Sequence, residues 1–194
     1  WLFANPALSN VDVKIGYLRQ EVSTPPVLSN LDSTPEDIGI AGAKLGVDGN
    51  QTTGAFLGHK YSIEVFTVPV GGDLVAQARK ALAHSRLLVL DAPARDILTV
   101  ADLPEAEGAI LINTSEPQTA LRGEHCRANL LHTLPSNAAR ADALMQFLLK
   151  KRWTKLAMIS GSDVADAELS VAFRTAAAKF GLKLAAEKEW NFEA

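Results

Sequence analysis

Short, uninterrupted apolar runs separated by amphipathic stretches constrain this chain more than any other feature. Leu87-Leu88-Val89-Leu90 and Ala109-Ile110-Leu111-Ile112 each suit one buried strand and are far too short for a membrane span. Between such runs apolar residues recur at helical spacing, as in Val75, Ala78 and Leu82 behind Asp73, a predicted N-cap. Strands that are apolar throughout need cover on both faces. Their alternation with helices predicts a parallel α/β sheet.

Val11 to Leu18 reads as the first strand, because its β-branched residues alternate. A polar loop from Arg19 to about Glu36 follows, carrying Pro25, Pro26 and Pro35. Asp37 to Gly46 is expected as a short helix ended by glycine, Asp48 to Gly58 as turns, and Tyr61 to Val68 as a second strand. Strands over Leu87–Asp91 and Ala109–Asn113, with helices after Asp73 and over Arg95–Ala101, complete a doubly wound unit spanning 1–120. A second α/β unit is expected over 121–194. It has an extended Asn129–Thr133, a helix opened by Pro135-Ser136-Asn137, a strand Lys155–Ser160, a helix Asp166–Phe180 and a strand Leu182–Glu187. That unit stops inside a βαβ pattern and reads as incomplete.

Composition removes several function classes. The 194 residues suit one large domain or parts of two. With 19 Lys+Arg against 22 Asp+Glu, the net charge of −3 lacks the basic footprint of a duplex nucleic-acid binder. Hydrophobic residues at 47% exclude a disordered chain. The one cysteine, Cys126, rules out an internal disulfide, a zinc ribbon and a thioredoxin-type motif. No basic segment followed by an apolar stretch opens the chain, so any secretion signal is expected to have been removed or never to have existed.

Nucleotide and hydrolase fingerprints are missing: neither G-x-G-x-x-G, nor G-x-x-x-x-G-K-[ST], nor G-x-S-x-G occurs. His125 beside Cys126 invites a Cys–His catalytic reading, yet neighbours on an extended segment point to opposite faces, and a structural cysteine is the default. Arg122, Arg127 and Arg140 read either as solvated charges or as cleft residues that hold carboxylates bidentately. Trp153, just ahead of a strand, is expected to pack. Asn50-Gln51-Thr52 matches a glycosylation sequon, a pattern common by chance. Ligands of open α/β sheets gather at the C-terminal ends of the strands. Those ends carry Arg19-Gln20-Glu21, Asp91-Ala92-Pro93, Asn113-Thr114-Ser115 and Gly161-Ser162-Asp163, with helix N-termini behind them to favour an anion.

The order of elements resembles the type I periplasmic binding proteins of branched-chain-amino-acid-type ABC transporters. The resemblance rests on Val13-Lys14-Ile15-Gly16-Tyr17-Leu18, Gly39-Ile40-Ala41-Gly42-Ala43-Lys44-Leu45, Leu131-His132-Thr133-Leu134-Pro135-Ser136 and the segment Ala172 to Gly181. A closer resemblance, to binding proteins associated with pyrroloquinoline-quinone-dependent alcohol oxidation, rests on Asn50 to Gly54, Leu121 to Asn129, His132 to Ser136 and Ala141 to Leu144. Lys151-Arg152-Trp153 and Lys188 to Phe192 add to it. What this implies is a type I periplasmic-binding-protein fold of two parallel-sheet lobes, the second incomplete, and a periplasmic receptor that traps a small anionic ligand between lobes. It implies an ABC transporter permease as partner, no catalytic cofactor, no nucleic acid and no direct membrane insertion. The implied ligand is pyrroloquinoline quinone, a flat tricarboxylate. The implied contacts are Arg19 and Gln20 after the first strand, Asp91 and Ala92 after the third, Asn113, Thr114 and Ser115 after the fourth, and Ser162, Asp163 and Val164 in the second lobe. Relatives that bind amino acids usually carry Ser or Thr where Asp91 stands, which points away from a plain amino-acid ligand.

Alternatives come from other classes. A receptor for another small metabolite, such as an amino acid or an alcohol- or acid-derived compound, would use the same strand ends. So would a ligand-sensing domain of this fold. An α/β enzyme would need a nucleophile–base pair, and only Cys126 with a histidine, or Ser162 with Asp163, offers one.

Overall fold

A computed structural model describes residues 10–23 and 35–191. Pro25, Pro26 and Phe192, singled out in the sequence, lie outside the described residues. The chain divides into two compact units, Trp1–Glu116 with Arg127–Thr133, and Pro117–Cys126 with Leu134–Ala194.

In the first unit, β1 (Val11–Gln20), β2 (His59–Val68), β3 (Leu87–Asp91), β4 (Ile110–Asn113) and β5 (Leu130–His132) form one sheet in the order β2-β1-β3-β4-β5. All its neighbouring strands are parallel. Helices α1 (Ile40–Phe56), α2 (Leu74–His84) and α3 (Ala94–Ala101) make the crossovers. Right-handed crossovers put α1 on one face and α2 with α3 on the other, so strand order reverses between β1 and β3.

Period-two alternation sorts the strand side chains. Leu18, Leu88, Leu90, Leu111 and Leu130 pack with Ala78, Leu82, Ile97 and Val100 of α2 and α3 into the core. Tyr17, Val89 and Ile112 face the α1 side. There the cover is thinner, and Ile110 and Leu131 at the far strands are exposed. Helix α2 starts where expected, the Asp73 carboxylate accepting the Ala76 N–H at 2.9 Å.

Two expectations are corrected here. Helix α1 does not stop at Gly46 but runs ten residues further, through the stretch expected as turns. Side chains that usually favour turns bond back along the helix instead, Asn50 Nδ2 to Gly46 O and Thr52 Oγ1 to Asp48 O. Gln51 also fastens the helix to β2, accepting the Tyr61 N–H at 2.7 Å and donating to His59 O at 3.2 Å. The second correction concerns 129–133. This stretch belongs to the first unit, because β5 is the sheet's edge strand, hydrogen-bonded along β4.

The second unit contains α4 (Asn137–Lys150), β6 (Lys155–Gly161), α5 (Val164–Lys179) and β7 (Lys183–Trp190), with β6 and β7 parallel. Ala141, Met145, Ala176, Ala177 and Leu182 form its core. The Ser136 hydroxyl caps α4 by accepting the Ala139 N–H at 3.1 Å. The exit of α4 is a Schellman turn, in which Trp153 N donates to Leu148 O and Arg152 N to Leu149 O. Arg152 sits there at φ 61, a conformation that suits glycine. Arg152→Gly should therefore raise stability by about 1 kcal/mol, read as a higher denaturant midpoint at unchanged m-value. Trp153, expected to pack, is 60% exposed, because it follows Arg152 in this surface turn, where every residue from Leu149 to Lys155 is exposed.

Candidate functional site

The strand-order reversal places the C-terminal ends of β1 and β3 side by side, with Arg19 and Asp91 in register. A cavity of about 560 Å³ opens at these ends on the α1 face. Its walls come from alternate strand positions. Tyr17, Val89, Asp91, Ile112, Thr114 and Thr133 all point the same way, and Ile38, Gly39, Ala43 and Ser115 complete it.

The polar side of the cavity is a linked set. Tyr17 donates its phenol O–H to Asp91 Oδ2 at 3.2 Å, and Arg19 Nε lies 3.8 Å from the same oxygen. Arg19 also donates to Glu36 O at 2.6 Å, which fixes the guanidinium beside the strand ends. Gly39 enters α1 at φ 82, and a Cβ there would sit 2.7 Å from the Tyr17 oxygen. Only glycine lets the helix start this close to the phenol. Asp91 is the charged residue of the lining, and Arg19 beside it balances that charge.

Burial, together with the Asp91 charge and hydrogen bond, pushes the Tyr17 phenol up to about 12. The unfolded phenol ionises near 10, so between pH 10 and 12 the unfolded chain has already lost a proton that the folded chain retains. Stability should fall as pH rises through this window. Tyr17→Phe should remove that decline in pH-dependent denaturation, and the ultraviolet titration should show one of the two tyrosines ionising late.

The sequence-expected residues divide clearly. Asp91, Thr114 and Ser115 line the cavity, and Arg19 reaches its edge through Asp91. Thr114 and Ser115 hydroxyls are engaged with the backbone, Thr114 Oγ1 donating to Leu90 O and Ser115 Oγ accepting the Ala92 N–H. Gln20 points to the opposite face, where its amide donates to Pro69 O at 3.1 Å. Ala92 is buried. Asn113 is fully buried and holds the loop after β4. Its Oδ1 accepts N–H groups of Ser115 and Glu116, and its Nδ2 donates to Glu116 O and meets His132 Nδ1 at 3.0 Å. The α3 N-terminus behind Asp91, expected to favour an anionic ligand, already has one from the protein: Glu116 Oε2 accepts the Ala94 N–H at 3.2 Å.

Ser162, Asp163 and Val164 lie in the second unit, exposed at the β6–α5 turn. Of the three arginines, Arg127 holds the Asp102 carboxylate bidentately at 2.6 and 2.9 Å, keeping it below its usual range. Arg122 donates to the Gln118 and Leu134 carbonyls. Arg140 reaches Asn137 Oδ1 at 3.4 Å. His84 pairs with Glu64 at 2.8 Å, and His59 stands beside Tyr61. A second cavity, about 390 Å³, runs along α4 and α5. Two of its three carboxylates are engaged locally, Glu168 by Gln118 and Asp142 by Lys179, and the third is Glu124. Among the described residues no group of three or more His, Cys, Asp or Glu is placed to hold a metal.

Sequence reasoning missed Tyr17, Gly39 and Thr133. Tyr17 and Thr133 were reachable by parity, since each falls two residues from, or on the same strand face as, a position already suspected. Gly39 had no signal short of its neighbour in space.

No protein-family model matches the chain, and no curated protein sequence matches it. Among solved structures it is similar to an ABC transporter substrate-binding protein from Desulfitobacterium hafniense. That match has 14% identity and a TM-score of 0.66, covering 95% of this chain and 51% of that one. An ABC transporter substrate-binding protein from the same organism, in complex with Leu, matches at 13% identity and TM-score 0.65, covering 93% and 50%. A periplasmic binding protein from Burkholderia mallei matches at 19% identity and TM-score 0.59, covering 94% and 48%. The chain has the α/β fold of these binding proteins and spans about half the length of each.

Proposed function

We propose that the chain is the ligand-holding part of a periplasmic solute-binding receptor serving an ABC importer. Its work is capture and release, with no bond made or broken. The observation that carries this reading is the neutral Arg19–Asp91 pair, joined by Tyr17, over an apolar floor at the point where strand order reverses. The likeness in fold to three binding proteins supports it.

The ligand class we propose is a small zwitterion with an apolar body, of the amino-acid kind. Arg19 suits a carboxylate, Asp91 suits an ammonium, and Val89, Ile112, Ile38 and Ala43 suit an aliphatic body. The Leu complex of one structural neighbour is in keeping with this. Asp91 does not count against an amino acid, since Arg19 balances its charge. Pyrroloquinoline quinone, the ligand implied by the finer resemblance, would bring three carboxylates and no ammonium to a site where, among the described residues, Arg19 is the cation beside the lining and Asp91 would be left without a ligand partner. Ser162, Asp163 and Val164 remain proposed contacts of the second unit.

A thermal-shift panel of aliphatic amino acids, monocarboxylic acids and pyrroloquinoline quinone, on the full encoded polypeptide, tests this assignment. An amino acid at 100 times its Kd should stabilise the protein by about 2.7 kcal/mol. A shift with the quinone alone would replace the ligand class. No shift with any compound would sink the receptor reading.

A further inference from the structure

We propose that the end of the second unit where α4 runs into β6 is a docking surface for a bilayer carrying anionic headgroups. Every residue from Leu149 to Lys155 is exposed, and this run contains Lys150, Lys151, Arg152 and Lys155. Lys183 joins them, because Lys155 and Lys183 are direct register partners on β6 and β7. Five cations thus share one end of a unit in a chain whose net charge is −3.

Two observations distinguish this patch from ordinary solvated charge. The first is that its cations are unmatched. Elsewhere in the same unit Arg174 pairs with Glu187 and Lys179 with Asp142, while Lys188 stands singly rather than in a cluster. Among the described residues, none of the five cations of the patch forms such a pair. Lys155 and Lys183 stand side by side although like charges on facing strand positions repel. A layer of external anions would relieve that repulsion.

The second is that large apolar groups stand among the charges. Trp153 is 60% exposed and Phe147 51%, with Lys151 Nζ 5.5 Å from the Phe147 ring centre. Trp and Phe between lysines match the depth profile of a bilayer surface, where rings sit at the headgroup boundary and ammonium groups meet lipid phosphates. Four of the five cations are lysines. A compact, hydrated ammonium suits a diffuse anionic layer, whereas discrete carboxylates on a protein partner favour the bidentate fork of arginine. The charges and rings together favour a membrane surface over an acidic protein.

Vesicle flotation with the full encoded polypeptide tests the proposal. Vesicles of equal parts phosphatidylglycerol and phosphatidylcholine should carry the protein at low salt, and phosphatidylcholine vesicles should not. Binding should vanish near 1 M salt, where the screening length falls to about 3 Å. Lys150→Gln with Lys151→Gln should weaken binding roughly thirtyfold, taking each surface cation at its usual contribution. Arg152→Gly should weaken it about fivefold while making the fold more stable, so its loss of binding is not a loss of folding. Tryptophan emission should shift to the blue on vesicles, and Trp153→Phe should abolish the shift. Equal partitioning into both vesicle types, or no difference between wild type and Arg152→Gly, would overturn the proposal. Binding to polyglutamate without binding to either vesicle would overturn it in favour of an acidic protein partner.

Discussion

Asn113→Ala should lower the stability of the first unit by about 3 kcal/mol, one of the two largest effects expected of a single substitution here. The residue is fully buried and serves four partners: the N–H groups of Ser115 and Glu116, the Glu116 carbonyl and the His132 ring. Each such group left without a partner costs about 1–3 kcal/mol, and relaxation of the loop recovers part of it. Urea denaturation measures the loss directly. The sequence reading made Asn113 a ligand contact, and that role makes the opposite forecast: weaker binding with stability unchanged. A variant that melts like wild type would therefore return Asn113 to the ligand.

Gly39→Val should cost about 3 kcal/mol and also disable the cavity. A β-branched residue at φ 82 is strained by more than the usual 1–2 kcal/mol of a left-handed residue. Its Cβ would in addition meet the Tyr17 oxygen at 2.7 Å, so the phenol must move off Asp91. The readout is a double one, a lower denaturant midpoint and loss of the late tyrosine ionisation. A stable Gly39→Val protein that keeps that ionisation would show that α1 does not start against the phenol.

How much of this was legible in the sequence differs from element to element, for physical reasons. Strand Leu87–Asp91 was read to the residue, because a continuous apolar run bounded by Arg86 and Pro93 leaves little choice. The Asp73 cap was read because its mechanism is local. Helix α1 was cut short because Gly46, Gly49 and Asn50 look like terminators, while the contacts that hold this stretch helical are made by Gln51 with a strand not yet formed in sequence order. Strand β5 went to the wrong unit for a similar reason: three residues of strand carry no local sign of which sheet they join.

The candidate site shows the same division. The sequence located strand ends, and these are where the cavity lies. It did not sort neighbouring residues by face, so Gln20 and Asn113 were grouped with Arg19 and Thr114 although alternation sends them to opposite sides of the sheet. Charge balance was also out of reach. Asp91 alone reads as a negative site, whereas with Arg19 at 3.8 Å it is one half of a neutral pair.

Calorimetric titration of wild type and Arg19→Met with the best amino acid from the thermal-shift panel asks whether the ligand is held at the β1–β3 strand ends. Saturable one-to-one binding to wild type is expected, with an affinity at least tenfold lower for Arg19→Met, since a hydrogen bond to a charged group contributes about 1.5–3 kcal/mol. The ligand-free melting temperature should change little, because Arg19 is partly exposed and its pairing with Asp91 is solvent-screened. Equal affinity for the two proteins would place the ligand away from the β1–β3 strand ends and remove Arg19 from the site.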